Sequence, residues 1–274
     1  MLHRGIFFHG CIRVKPKEVM KNLNVQQLRL QLPYFAATAI IVFCLLIIST
    51  FSSCKKDCFP LKGKGNIVNE SFNVSSFKSI DLAIDAELKL TQGDSQFVSI
   101  SGHENILDII SVSVSNETLV IKYTKNCGSI SDDDLQIQIQ IPEVNKLRIS
   151  GSGDIQLMNS IQSDNLQLEI SGSGELDGSI QSNSLTAQIT GSGDIYISGS
   201  TTNNNLTITG SGEYSGFNLV SQTTDIHISG SGNADIHVIQ TLDASISGSG
   251  KIRYKGNPIV TSSISGSGDL IHVN

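Results

Sequence analysis

The chain has 274 residues, with 25 Gly, no Trp, 5% aromatic and 16% charged residues, and a formal net charge of −6. An acidic chain without a basic patch lacks the phosphate-neutralising surface that nucleic-acid binding requires. At 39% apolar it is too hydrophobic for a disordered chain, and its glycines are uneven, seven before Ser150 and eighteen after it.

At the N-terminus, residues 34–48 (YFAATAIIVFCLLII) form an uncharged apolar run behind Arg4, Arg13, Lys15, Lys17, Lys21 and Arg29. A basic region, a short apolar core and then small residues is the order of an export signal, so residues 1–53 read as a leader, with a start at Met20 giving the more ordinary length. The run is shorter than the roughly 20 residues of a spanning helix, and an uncleaved apolar anchor is the alternative. Ser52-Ser53-Cys54 resembles the bacterial lipoprotein processing site, although Phe51 stands where Leu is usual. That resemblance implies lipidation at Cys54 and an outer-membrane lipoprotein, with an inner-membrane anchor and periplasmic domain as the alternative. Residues 54–65 then form a tether, and Lys55-Lys56-Asp57 resembles that of Bacteroidota surface lipoproteins. Cys58 and Cys127 remain as thiols, paired or free; no Cys/His metal spacing occurs.

Residues 66–149 are β-like but irregular. Ser79–Leu90 and Asp134–Ile141 alternate apolar and polar residues, the mark of a half-buried strand, and only His103–Ile110 has a helical look. The region reads as the first coils, or the cap, of the repeat that begins at residue 150.

Residues 150–274 are that repeat. The motif [Ser/Thr]-Gly-Ser-Gly occurs seven times, with glycine pairs Gly151/Gly153, Gly172/Gly174, Gly191/Gly193, Gly210/Gly212, Gly230/Gly232, Gly248/Gly250 and Gly266/Gly268, at spacings of 18–21 residues. Two residues ahead of each pair stands Ile149, Ile170, Ile189, Ile208, Ile228, Ile246 or Ile264. A fixed period near twenty marks a stacked architecture. Around each motif the alternation continues, as in Leu147, Ile149, Gly151, Gly153, Ile155 and Leu157, which puts isoleucines and glycines on the inward face. Glycine inside a strand marks a bend or close backbone approach, so the motif reads as a narrow corner. Gln181–Ser184 and Thr201–Asn205 have loop chemistry that tolerates an extra residue. The predicted fold is all-β, a parallel β-solenoid or β-helix with about 18–21 residues per coil. An antiparallel meander or sandwich, with each Gly-Ser-Gly at a hairpin tip, is the alternative. The last coil is barely begun at Asn274, which predicts an edge available for self-association.

Phe77-Lys78-Ser79-Ile80, the Gln92-Gly93 turn, Leu119-Val120-Ile121, Ile141-Pro142 and the serial Ser-Gly-Ser-Gly-Asp motifs together resemble the head GIN domain family of auto-transporter adhesins over residues 66–272. The resemblance implies an exported, repeat-built β domain, and it carries no catalytic residues.

Beside the inward isoleucines an outward column runs Asp154, Glu175, Asp194, Glu213, Asn233, Lys251 and Asp269. Four successive acids repel weakly in water; they read as a solvated face, with calcium the less favoured account. Asp225/His227 and Asp235/His237 read as surface decoration. Sugar-cleaving β-helices need stacking aromatics and a carboxylate pair or basic cluster, and the repeat offers only Tyr196, Tyr214, Phe217 and Tyr254. The sequence therefore predicts no enzyme, no cofactor and no resident metal. It predicts a lipid-anchored envelope module that contacts a glycan or protein surface, the alternatives being a periplasmic scaffold and a polysaccharide-active β-helix enzyme.

Overall fold

The computed structural model describes residues 60–125 and 129–274; Cys54, Cys58, Cys127 and the 34–48 run lie outside them. In chain order the elements are β1 (Leu61–Lys62), β2 (Ile67–Ser71), β3 (Ser79–Ala83), β4 (Glu87–Gln92), β5 (Phe97–His103), the short helix α1 (Glu104–Leu107), β6 (Ile110–Ser115), β7 (Thr118–Tyr123), β8 (Ile130–Ser131) and β9 (Gln136–Ile141). Then come β10 (Lys146–Ile149), β11 (Asp154–Leu157), β12 (Ile161–Gly172), β13 (Glu175–Gly191), β14 (Asp194–Gly210), β15 (Glu213–Gly230), β16 (Asn233–Gly248), β17 (Lys251–Lys255), β18 (Ile259–Gly266) and β19 (Asp269–His272).

From β10 onward each coil pairs in parallel with the next, which settles the choice between solenoid and antiparallel meander. The isoleucine column is in register throughout: Ile149 pairs with Ile170, then follow Ile189, Ile208, Ile228, Ile246 and Ile264. All are fully buried except Ile264, which is 44% exposed in the last coil, where Ile259 is 77% exposed. Below Ile149 the column continues through Leu82 and Ile121. The stack therefore departs from chain order, because the β3–β4 coil is inserted between β7/β9 and β10/β11.

Ser79–Leu90, one unbroken alternation in sequence, is two strands around a corner. Pairing Leu82 with Ile149 and Glu87 with Asp154 sets Leu82–Glu87 in the place of the Ile-Ser-Gly-Ser-Gly-Asp motif, with no glycine. At the N-terminal end of the stack the pairing turns antiparallel, β6 against β7, β5 against β9 and β2 against β5. These strands and α1, with Ile106 and Leu107 buried, cover the first coil, where a parallel edge would otherwise leave backbone groups open.

The polar stretches expected as loops are ladder. Gln181–Ser184 lies within β13 and Thr201–Asn205 within β14, paired residue by residue with their neighbours apart from a few corner positions. Parallel stacking lets backbone bonds continue around a bend, so polar outward residues suffice there. Part of the variation in repeat length falls elsewhere, in register shifts at Tyr196/Ser198, Gly216/Val220 and Ser221/Thr223.

The glycines of the motif do two different jobs, and the expectation of glycines inside a strand needs correcting at the second of each pair. Gly153, Gly174, Gly193, Gly212, Gly232, Gly250 and Gly268 all stand outside the strands, in the break between one wall and the next. The chain turns there, so the ladder is interrupted, yet Gly174, Gly212, Gly232 and Gly250 each still accept an N–H from the following coil, those of Asp194, Asn233, Lys251 and Asp269, at 3.0–3.1 Å. Gly153 to Gly250 are buried and Gly268, in the uncovered last coil, is half-buried. What fills the space is the isoleucine one coil below. An added Cβ would lie 2.5 Å from Ile170 Cγ2 at Gly193, 2.6 Å from Ile189 Cγ2 at Gly212, 2.5 Å from Ile208 Cγ2 at Gly232, 2.7 Å from Ile228 Cγ2 at Gly250 and 2.5 Å from Ile246 Cγ2 at Gly268.

The first glycine of each pair is half-buried, or exposed at Gly266, and from Gly172 onward it closes the preceding strand with φ between +116° and +143°, a region that disfavours any Cβ. Its carbonyl accepts the next coil's serine N–H, as in Ser192 N–H to Gly172 O at 2.9 Å and Ser211 N–H to Gly191 O at 2.8 Å. The inward placement expected of both glycines thus holds for the second alone.

Candidate functional site

An open groove of about 1100 Å³ lies on the corner that joins each coil's side strand to the isoleucine wall. Register resolves it into three columns: Gln162, Gln181, Ser200 and Val220; then Ser163, Ser182, Thr201 and Ser221; then Asp164, Asn183, Thr202 and Gln222. The middle column points inward and makes the floor. Its buried hydroxyls are satisfied, Ser182 Oγ donating to Thr201 Oγ1 at 3.0 Å and Thr201 Oγ1 to the Asn203 carbonyl at 3.1 Å. One rim is tied by Asn183 Nδ2 donating to Asp164 Oδ1 at 2.9 Å and Thr223 Oγ1 to Asn203 Oδ1 at 2.9 Å. A floor and rim that are already hydrogen-bonded hold their shape without a ligand.

The groove begins where the side strand begins. The Gln92 side chain takes the place of a missing strand there: Nε2 donates to the carbonyls of Pro142 and Gln162, both at 3.0 Å, and Oε1 accepts the Gln162 N–H at 2.7 Å. Asn159 closes the same gap with two 2.9 Å bonds to the Gln92 backbone. The charged lining residues are Glu143, Lys146 and Asp164, each already engaged, Glu143 with Lys78, Lys146 with Glu169 and Asp164 with Asn183.

On another wall the acidic column is assembled in register and is longer than expected, because Glu87 of the inserted coil precedes Asp154, Glu175, Asp194 and Glu213. Two of the aspartates fold onto the next coil's backbone, Glu175 N–H donating to Asp154 Oδ1 at 3.0 Å and Glu213 N–H to Asp194 Oδ1 at 2.9 Å. Burial, aided by Asp85 and Glu87, raises the Asp154 carboxyl above its ordinary value, and burial with Asp154, Asp177 and Asp194 does the same for Glu175. A raised folded value means that the native state holds more protons than the unfolded chain, so these acids cost stability near neutral pH and the cost is relieved as pH falls. Asp132 has the opposite sense. Burial works against its charge, but hydrogen bonds from the His103 backbone and ring and from the Asp134 N–H outweigh it and lower the carboxyl's value. The melting temperature is expected to rise on acidification from pH 7 towards ~4.5, around the ordinary carboxylate range, and to fall below it as Asp132 protonates. In thermal denaturation against pH, the Asp154→Asn/Glu175→Gln pair is expected to flatten the rise and leave the fall; an unchanged rise refutes the assignment.

Among the described residues, the group that brings three potential metal ligands together is His103, Asp132 and Asp134, outside the acidic column. The buried Asp132 carboxylate is committed there to the His103 N–H at 2.8 Å, the ring Nδ1 at 2.7 Å and the Asp134 N–H at 3.1 Å. It staples the turn after β8 to the end of β5. The Asp/His pairs lie on two walls. Asp235 turns to Arg253, which donates Nε to Oδ1 at 2.7 Å and Nη2 to Oδ2 at 2.5 Å.

Of the residues singled out from sequence, the repeat isoleucines and glycines form the core and corners, and the groove lies beside them. Its columns carry loop chemistry in sequence, although Gln-Ser recurs at 162–163 and 181–182 at the repeat spacing, which is the one signal that marks them.

The family model "Putative auto-transporter adhesin, head GIN domain" matches residues 76–258. Among solved structures, a putative adhesin from Bacteroides fragilis NCTC 9343 is 26% identical with a TM-score of 0.74, covering 78% of this chain and 100% of its own. A putative lipid binding protein from Parabacteroides distasonis ATCC 8503 is 25% identical with a TM-score of 0.67 and the same coverage. A putative adhesin from Parabacteroides merdae ATCC 43184, at 21% identity and a TM-score of 0.63 over 78% of this chain and 99% of its own, shares the fold. No curated protein sequence matches significantly. No helix among the described residues is long and apolar enough to cross a membrane. With the matched residues spanning the coils from β3 to β17, the chain belongs to the head GIN domain family of putative auto-transporter adhesins.

Proposed function

We propose that this protein is a non-catalytic adhesion or interaction module of the cell envelope, held at the outer membrane by lipid on Cys54, the alternative being an inner-membrane anchor through the uncleaved 34–48 run, and that the polar groove is its contact surface. The observation that carries the reading is a hydrogen-bonded groove whose charged groups are each engaged by a neighbouring side chain and which is lined by no aromatic residue. General acid–base chemistry needs a titratable group free to reach substrate, and Glu143, Lys146 and Asp164 are spent on the protein itself. The lining is polar where an acyl chain would need apolar walls, so the lipid-binding name of the Parabacteroides distasonis relative is not carried over. Contacts of this kind are weak singly and become useful when many copies act together.

The reading predicts that external protease digests the protein on intact cells and that deleting its gene lowers attachment to a host-cell or matrix surface by several-fold. Complete protection from protease, with attachment unchanged, overturns it in favour of a periplasmic scaffold.

A further inference from the structure

We infer that the groove takes a neutral, linear, β-linked glycan lying along the solenoid axis, about one sugar to each coil; this rests on the adhesion reading above and names its ligand class. The first support is chemical. Gln162, Gln181, Ser200, Thr202 and Gln222 face the groove and make no side-chain hydrogen bond to another described residue. Amides and hydroxyls both donate and accept, and a sugar hydroxyl asks for the same two functions. The lining holds few apolar groups, Val144 and Val220, so it has little to offer an apolar ligand.

The second support is spacing. Equivalent residues recur at the strand separation of ~4.8 Å, and four rungs give a groove of roughly 15–20 Å. A pyranose in an extended β-1,4-linked chain advances by about one rung with alternate rings turned over, so every second sugar meets the two flanking columns in the same orientation and the chain stays in phase with the coils. An extended polypeptide repeats every two residues, about 6.6 Å, and falls out of phase within two or three coils. The third support is charge. The net charge is −6, and the cation in the groove's lining, Lys146, is engaged by Glu169, so among the described residues a polyanionic glycan finds no free cation along its path. Because no aromatic ring lines the groove, stacking adds nothing, and affinity must come from the number of rungs filled.

The test titrates the full chain in detergent with two neutral series, β-linked glucose and β-linked N-acetylglucosamine oligomers of one to eight units, by calorimetry. Monosaccharides are expected not to saturate, Kd to fall by about tenfold or more between two and five units, and then to level off. An anionic β-linked oligoglucuronate of equal length is expected to bind at least tenfold more weakly. Gln162→Ala with Gln181→Ala, both exposed, is expected to weaken the pentamer about fivefold or more without moving the melting temperature. No binding of either neutral series, affinity that does not grow with length, preferential binding of the anionic oligomer or of an extended peptide, or indifference to the double substitution each overturns the inference. If attachment of cells depends on the protein while both series fail, the glycan assignment falls and the adhesion reading stands. If the series bind but intact cells hide the protein, the reverse holds.

Discussion

Replacing Gly199 by alanine is expected to cost about 3–5 kcal/mol and Gly210 by alanine nearly as much, whereas Gly151→Ala, at the same motif position as Gly210, is expected to cost little. At Gly199 φ is +111° and an added Cβ would sit 1.9 Å from the Ile180 carbonyl oxygen; at Gly210 φ is +120° and the Cβ would sit 2.3 Å from the Gly191 carbonyl oxygen. Both oxygens belong to backbone held in the ladder, so neither can yield without breaking a rung. Overpacking and forbidden backbone each contribute roughly 1–3 kcal/mol. At Gly151 nothing lies within 4 Å and φ is not positive, because the coil beneath it has Leu82–Glu87 at the corner instead of a glycine pair. For a domain of this size the loss corresponds to a fall of ~10 °C in melting temperature. Calorimetry of the three variants decides it; equal effects at Gly151 and Gly210 refute the account.

Tyr214→Ala is expected to be equally severe, about 3–5 kcal/mol for a large side chain deleted from a packed core. Tyr214 is fully buried, between Ile195 and Ala234 in its column, and Gly216 makes room for the ring, since a Cβ there would stand 2.4 Å from Tyr214 Cε1. Its hydroxyl lies near the Asn204 side chain, yet neither the hydroxyl nor Asn204 Oδ1 makes a hydrogen bond among the described residues, and burial raises the phenol's pKa so that it stays protonated. Tyr214→Phe removes one of these two unpaired buried polar atoms and is expected to leave stability unchanged or raise it by about 1 kcal/mol. Asn204 stands in a column between Leu185 and Thr224, so Asn204→Leu removes the other unpaired atom and is expected to add to stability in the Phe background. Denaturant unfolding of Tyr214→Ala, Tyr214→Phe, Asn204→Leu and the Phe/Leu double variant decides it; a loss of more than about 1 kcal/mol on Tyr214→Phe refutes the account.

Much of the architecture was legible because parallel stacking repeats itself. Alternation around Ile149 and its six counterparts marks the buried face, and an equal residue every 18–21 positions pairs with its copy in the next coil without any further choice. The helical look of His103–Ile110 survives as α1, four residues long. The groove was not legible, since Gln181–Ser184 and Thr201–Asn205 look like loops when their backbone partners are unseen. Nor was the division of labour between the two glycines of a motif, or the difference between Gly151 and Gly210, which have the same local sequence and different neighbours beneath.

From the sequence alone came the β period, the inward isoleucine column, the glycine corners, the solenoid and the family resemblance, all consequences of contacts between a residue and its own copy one repeat away. Only the tertiary structure decided the order of the first coils, where β3–β4 slips between β7/β9 and β10/β11, and their cover by the antiparallel β5 and β2. These depend on pairing between unlike segments far apart in the chain, which no local periodicity encodes. The groove is the same kind of fact: its three columns are polar residues of no special pattern until the bend of each coil turns them toward one another and the strand register stacks them.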